Sequence, residues 1–415
     1  MNEKRPSKAV KRILAGAAIF IGILSLIGFA NRGAVQRMWT LYTFFDEGER
    51  VENFRHVDRI MPGRTIHKSG EQYHFQQKLT GLNDTYLFKG ETKSVEQFLE
   101  ETVTTGFLVV KNDSIVNERY FRGDSESSLN TSMSVAKSFV SALVGIAIDE
   151  GLVSGVDRPI SDYVPKLRGS GYDGVPIRDV LQMASGVKFN EEYDDPFSDI
   201  NTMFWKVFGM GQPIDDYIAA LRSEVPAGTT SYYRSCDTQA LGMLLKAVTG
   251  KPVSAYLEEK LWSKIGMEYD AFWCTDLHGT ELAFAFLNVA LRDYAKFGRL
   301  YLHNGNWDGE QIVSEKWVRE SVTPDNPNLK PGPKPKGYET FGNLGYQYQW
   351  WIPEDSDGEF FADGVWGQYI YVYPKENLVI VKTSVDPHFA DNKYEHDDET
   401  VALCRSIAKH LHEGN

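Results

Sequence analysis

The stretch Thr131-Ser-Met-Ser134-Val-Ala-Lys137-Ser-Phe-Val-Ser-Ala-Leu-Val-Gly-Ile-Ala-Ile-Asp-Glu-Gly151 decides how this chain is read. Ala136, Phe139, Val140, Leu143, Val144 and Ala147 recur at three- and four-residue spacing, which predicts a helix packed on most of its surface and ending at Gly151. Thr131 and Ser132 stand at its start and are expected to cap it with their hydroxyls. Near that start lies Ser134, and i,i+3 spacing puts the amine of Lys137 beside its hydroxyl. A serine is a poor nucleophile at its free pKa and needs an adjacent base. Burial can lower a lysine pKa until a neutral, proton-accepting fraction exists. Backbone amides at the helix start also favour developing negative charge. The expected pair is Ser134 as nucleophile and Lys137 as its base.

The tetrapeptide S-x-x-K is weak by itself and occurs three times, the others being Ser185–Lys188 and Ser406–Lys409. Ser185 lies in loop-like, glycine-bearing sequence, and Ser406 sits on a terminal helix whose polar face is expected to be solvated. Only Ser134 opens a helix whose remaining surface is apolar. The rival route to an activated serine, a G-x-S-x-G elbow feeding a Ser-His-Asp triad, is absent. So is H-E-x-x-H, and no metal or organic cofactor is expected.

Outward from the helix, Gly106–Lys111 and Ile115–Phe121 are β-branched and aromatic runs separated by Asn112-Asp113-Ser114, which predicts a hairpin. Residues from about 152 to 285 carry helical patterns such as Pro213–Arg222 and Leu241–Val248 between Gly- and Pro-bearing loops. A clear helical period runs from Leu291 to Leu302. Strand-like runs follow at Tyr346–Ile352, Gln368–Tyr373 and Leu378–Thr383, then a helix from Glu399 to about His412. The prediction is an α/β (α+β) fold: an antiparallel sheet built from both chain ends, flanked by helices, with a helical region inserted at about 152–285. Pro324–Tyr338, rich in proline, is read as a loop.

Downstream, Pro226-Ala-Gly-Thr-Thr-Ser-Tyr-Tyr-Arg-Ser-Cys-Asp-Thr-Gln-Ala-Leu-Gly242 is a Gly turn, an aromatic pair and then a helix. A tyrosine hydroxyl beside a lysine cation loses its proton more readily and can relay one to a leaving group. If the segment is extended, Tyr232 and Tyr233 point to opposite sides and one of them faces the site. With Met133-Ser134-Val-Ala-Lys137, this segment resembles the serine β-lactamase and penicillin-binding-protein superfamily. The nearest resemblance is to the class C-like branch with the 6-aminohexanoate-dimer hydrolases and carboxylesterases. It covers roughly residues 96–410 and includes Val180-Leu-Gln-Met-Ala-Ser-Gly186, Leu291-Arg-Asp-Tyr-Ala-Lys-Phe-Gly298 and Gly364-Val-Trp-Gly-Gln-Tyr-Ile-Tyr-Val372.

The resemblance implies that Ser134 is acylated, that Lys137 takes its proton and that Tyr233 is the tyrosine of the family's Y-x-N motif. Ser235 stands where many members have asparagine. The oxyanion would be held by the amides of Ser134 and Val365, with Ser235, Trp366 and Gly367 on the substrate. One departure bears on the substrate. The family's Lys-Thr-Gly is missing before Gly364, where Phe360-Phe-Ala-Asp363 stands, and Lys382-Thr383-Ser384 falls on the following strand. Arg234 is a candidate replacement cation or an ion-paired arginine. These departures favour a small-molecule or peptide-like ester or amide over a β-lactam. The alternatives are a β-lactamase or D,D-peptidase, and a catalytically inactive binding domain at the membrane.

The N-terminus adds an address. Residues 1–12 carry Lys4, Arg5, Lys8, Lys11 and Arg12, and the 18 residues from Ile13 to Ala30 carry no charge. At about 1.5 Å per residue such a run nearly spans a hydrocarbon core of about 30 Å. The basic flank predicts a cytoplasmic N-terminus and an extracytoplasmic, periplasmic remainder. An uncleaved single-pass anchor is the first reading. A signal peptide cut near Gly28-Phe29-Ala30, releasing a periplasmic or secreted protein, and a buried core helix are the others. Residues 31–95 lack periodicity and read as a membrane-proximal extension, with Arg55–His74 a solvated connector, leaving 96–415 as the hydrolase domain. A net charge of −13 excludes a nucleic-acid partner, which needs a basic face. Three scattered cysteines, Cys236, Cys274 and Cys404, imply no disulfide framework.

Overall fold

A computed structural model describes residues 32–338, 341–389 and 395–413. The apolar run 13–30 lies outside them. Among the described residues no helix is long and apolar enough to cross a membrane.

The main sheet has eight strands, labelled here β1 Gln76–Gln77, β2 Thr104–Lys111, β3 Ser114–Tyr120, β4 Gly345–Gln347, β5 Trp350–Ile352, β6 Phe360–Gly364, β7 Gln368–Tyr373 and β8 Leu378–Ser384. Their spatial order is β4-β5-β6-β7-β8-β2-β3-β1. All neighbours are antiparallel except β1 and β3, which run parallel. Both chain ends therefore build one sheet, as the strand pattern predicts. The β2–β3 hairpin turns on Asn112 and Asp113 with φ of 49° and 55°, the left-handed pair that a tight two-residue hairpin requires and that Asn and Asp tolerate.

Five helices frame the site and its surroundings: α1 Arg32–Thr43, α2 Ala136–Asp149, α3 Ser235–Thr249, α4 Leu291–Leu302 and α5 Glu395–Glu413. One sheet face, through Phe361, Tyr371 and Ile380, belongs to a core shared with Leu403, Ile407 and Leu411 of α5. The other face, through Ile370 and Val379, packs on α4. There Gly298 lets the helix sit so close that a Cβ would come within 2.7 Å of Val379. Behind α4 lies α2, buried from Ala136 to Ala147, with Phe139 stacked 3.7 Å from Phe297 between ring centroids. The all-round apolar pattern of 136–147 thus reflects a helix enclosed by protein. A second, four-stranded sheet joins Gly63–Ile66, Ala271–Cys274, Leu287–Ala290 and Leu129–Thr131 in that order.

Several expectations differ from what is observed. Tyr346–Ile352 is not one strand but the β4–β5 hairpin, turning on Tyr348 and Gln349 at φ of 36° and 69°. Neither residue favours that conformation. Tertiary bonds hold it: Gln349 Nε2 donates to Leu181 O at 2.8 Å, Gln349 Oε1 accepts from Thr238 at 2.7 Å, and Tyr348 Oη accepts from Arg178 at 2.9 Å. The expected caps on α2 are also absent. Met133–Val135 forms a 3₁₀ turn before the helix. Ser132 Oγ instead donates to Met133 O and accepts the Leu287 amide at 3.1 Å, tying this turn to the second sheet. The region 152–285 includes a strand, Ala271–Cys274, and α5 starts four residues earlier than the sequence suggests.

Residues 44–66 are not a detached extension or a solvated connector. Phe44, Phe54, Val57, Met61 and Ile66 are buried in the same core as α2, and Gly63–Ile66 pairs with Ala271–Cys274. Their elements are too short, and their apolar residues too irregularly spaced, to register as a period. The three cysteines are free and buried.

Candidate active site

Ser134 sits on the 3₁₀ turn that leads into α2, 7% exposed. One helical turn on, the buried Lys137 Nζ donates to Ser134 Oγ at 2.7 Å and to the carbonyl of Phe284 at 3.0 Å. Burial pulls the Lys137 pKa down to about 8, opposed by the carboxylates of Glu191 and Asp363. At pH 7 about one amine in ten is then neutral and able to accept a proton.

The other two S-x-x-K serines are used elsewhere. Ser185 Oγ donates to Asp237 at 2.6 Å, and Ser406 accepts from Asn83 at 3.0 Å. Lys409 lies in solvent beside Glu413.

Tyr233 and Tyr232 do point apart. Tyr232 is exposed and packs on Arg234, while Tyr233 hydrogen-bonds Ser134. The Lys137 ammonium lies over the Tyr233 ring, 4.9 Å from its centroid, so cation and phenol meet face-on. Stacking on Trp351 at 5.5 Å fixes the ring. The expectation of a readily ionised tyrosine is corrected here. Burial, then the neighbouring Tyr346 and Tyr193, pushes the Tyr233 pKa well above its usual value. Tyr233 is a phenol at neutral pH, a proton donor from the start.

Gly364 explains how strand β6 reaches the nucleophile. A Cβ there would lie 2.9 Å from the Ser134 amide nitrogen and 2.5 Å from Ser132 O, so only glycine permits the approach. Val365, next in the chain, lines the same cavity as Ser134. Trp366 follows with φ of 70°, stacked at 5.1 Å on Phe45. Gly367 does not line the cavity; it turns the hairpin against Lys382 Nζ.

Ser235 opens α3 and borders the cavity, but its polar groups are committed. Its amide and hydroxyl donate to Glu191 at 2.9 and 2.5 Å, and Tyr193 Oη donates to the same carboxylate at 3.0 Å. Glu191 escaped the sequence reading. It comes from a loop, and no spacing connects it to Lys137. Burial raises its pKa, and Lys137 opposes that rise. Arg234 is a buried arginine that donates to Met183 O at 3.2 Å and pairs with Asp237 at 3.9 Å. Lys382 is buried on β8, donating to Ser384 Oγ at 2.6 Å, on the strand beyond β7 as its sequence position suggested. Neither lines the cavity, so neither stands in for the missing Lys-Thr-Gly lysine; the cations on the cavity wall are Arg37 and Arg59, from the N-terminal segment. The described residues hold no group of His, Cys, Asp and Glu arranged for a metal ion.

The cavity beside Ser134 has a volume of about 850 Å³. Its walls include Met133, Phe284 and Val365, and, from the N-terminal segment, Leu41 and Phe44.

Comparison with known proteins gives the chain a family and relatives. The model of the Beta-lactamase family matches residues 92–402. A 6-aminohexanoate-dimer hydrolase of Paenarthrobacter ureafaciens is 33% identical over 300 residues, which are 71% of this chain and 75% of that one. A Bacillus anthracis structure provisionally assigned as a 6-aminohexanoate-dimer hydrolase superposes with a TM-score of 0.80 at 25% identity, covering 89% of this chain and 96% of the other. A family VIII carboxylesterase shares the fold, with a TM-score of 0.56 at 16% identity over 76% of this chain and 95% of its own.

Proposed function

Because the chain belongs to the beta-lactamase family and is a serine hydrolase, we propose that Ser134 is its acylated nucleophile, Lys137 the base and Tyr233 the acid. The observation that carries this reading is the 2.7 Å contact between a buried Lys137 amine and the Ser134 hydroxyl. In its neutral form Lys137 accepts the Ser134 proton as Oγ bonds to the substrate carbonyl carbon. The amides of Ser134 and Val365 receive the oxyanion. Collapse breaks the bond to the leaving group, which takes the Tyr233 phenol proton; the adjacent Lys137 ammonium stabilises the phenolate. Water then attacks the acyl carbon and gives a proton to Tyr233. The Lys137 proton returns to Ser134 Oγ as the acid departs, which restores the starting state.

The substrate in this reading is a carboxylic ester or a linear amide. Support comes from the similarity to a 6-aminohexanoate-dimer hydrolase and from Phe360-Phe-Ala-Asp363 standing where the Lys-Thr-Gly that helps hold a β-lactam carboxylate would precede Gly364. Residues 13–30 anchor the enzyme, with the hydrolase domain on the periplasmic side. The supports are the uncharged run and its basic flank. Carbonate extraction of membranes tests the anchor, and release into the soluble fraction would refute it.

The catalytic reading is tested by intact-mass spectrometry after exposure to a fluorophosphonate and to ester, amide and β-lactam substrates. A single adduct on wild type and none on Ser134→Ala is expected. An adduct retained in that variant overturns the assignment, and a long-lived adduct with the β-lactam alone would move the substrate class back to β-lactams.

A further inference from the structure

We propose that the cavity beneath α1 holds the acyl chain of a lipid-like substrate, and that the N-terminal helix is thereby part of the substrate site. This rests on Ser134 being the acylated residue.

The cavity is far larger than a short acyl group needs, and its walls are aromatic. Phe204 stands between Phe208 at 5.8 Å and Phe286 at 5.9 Å, and Phe44 closes on Phe286 at 6.1 Å. Ser134 and Val365 line it, whereas Lys137 and Tyr233 do not. The leaving group must meet the Tyr233 hydroxyl, so the chain attached to the acyl carbon takes the aromatic side.

The roof is α1. Arg37 clamps it to the opposite wall, Nε donating to Phe208 O at 2.7 Å and a terminal nitrogen to Gly209 O at 3.2 Å. The contact is close: a Cβ at Gly209 would meet Met38 Cγ at 3.0 Å. Yet α1 has no buried residue of its own. Leu41 borders the cavity, while Val35, Trp39 and Tyr42 are 54%, 65% and 68% exposed. Toward the cavity this short helix presents Gly33, Gln36, Arg37, Thr40 and Leu41; its outer side is aromatic and poorly suited to water. It suits a bilayer surface, where Trp and Tyr concentrate. The helix also begins two residues after the uncharged run 13–30, so a chain anchored by that run holds the roof of its acyl pocket at the membrane, where long acyl chains reside.

The test uses the full chain in liposomes, with p-nitrophenyl esters from acetate to octanoate kept below their micelle concentrations. At up to about fourfold per buried methylene, kcat/KM is expected to rise by at least about a hundredfold from acetate to octanoate. Leu41→Trp and Ile200→Trp, filling the cavity from two walls, are expected to cut the octanoate-to-acetate ratio at least tenfold. That ratio, taken within one preparation, is independent of the fraction correctly folded. Acetate cleavage with a flat chain-length profile, or an unchanged ratio in both variants, overturns the acyl-pocket assignment and leaves Ser134 as nucleophile. No cleavage of any ester together with no fluorophosphonate adduct overturns the nucleophile assignment, and this inference with it.

Discussion

The protonation of Lys137 makes a demand on the pH profile that can be worked through in numbers. Only the neutral amine accepts the Ser134 proton, and burial sets its pKa at about 8. kcat/KM should therefore fall on the acid side with unit slope. From half its plateau at pH 8 it should drop to about 1% at pH 6, roughly fiftyfold, with each pH unit worth about 1.4 kcal/mol of barrier. Glu191 is the largest of the charges that raise the Lys137 pKa. Glu191→Gln keeps an acceptor for the Ser235 amide and hydroxyl but removes the charge, so the acid limb should move to lower pH and the variant should gain relative activity at pH 6. The assay is initial rate on a soluble p-nitrophenyl ester, followed at the isosbestic wavelength from pH 5.5 to 9.5 with the fold checked by circular dichroism. A flat profile from pH 6 to 9 would falsify the role of Lys137 as base. A limb that Glu191→Gln leaves in place, or moves upward, would refute the electrostatic coupling of the two residues.

Three further outcomes are expected from the same geometry. Tyr233→Phe should cost about 10²-fold or more on an amide, whose leaving nitrogen needs a proton, and much less on a p-nitrophenyl ester; equal losses on both would argue against a proton-donor role. Gly364→Ala places a Cβ 2.9 Å from the Ser134 amide. It should remove about 2.7–4 kcal/mol of transition-state stabilisation, seen as a kcat loss, and lower the melting temperature as well, since the same Cβ meets Ser132 O at 2.5 Å. Phe139→Ala empties the space against Phe297 and should destabilise by about 3–5 kcal/mol in urea unfolding; a loss below 1 kcal/mol would mean that the α2–α4 packing is not a main source of stability.

What the sequence revealed depended on the range of the forces involved. Helix α4 is bounded by Leu291 and Leu302 in both readings, because its periodic apolar face is a local property. Strand β7 matches at both ends for the same reason. The pairing of Ser134 with Lys137 was legible because one helical turn imposes it. The Tyr348–Gln349 turn was hidden, since its left-handed backbone is stabilised by Leu181, Thr238 and Arg178 and not by turn-forming residues. Short strands such as Gly63–Ile66 and Leu129–Thr131 find partners far along the chain, which no local pattern announces. Glu191 and the cavity roof were hidden likewise: Glu191 comes from a loop, α1 meets the cavity wall through Phe208 and Gly209 far along the chain, and the burial of Tyr233 had to be seen before its pKa direction could be known.

The register that places Leu378 opposite Lys111 and Ser384 opposite Thr104 also constrains the order of events in biogenesis. When the ribosome has delivered the β2–β3 hairpin, one of its long edges has no neighbour. The segment that satisfies it is made on the order of half a minute later. Until then the growing chain exposes an open, β-branched edge of the kind that recruits foreign strands. The sheet is thus completed only near the end of synthesis, and a chain stopped before β8 has a nucleophile sequence but no strand to close the core around it.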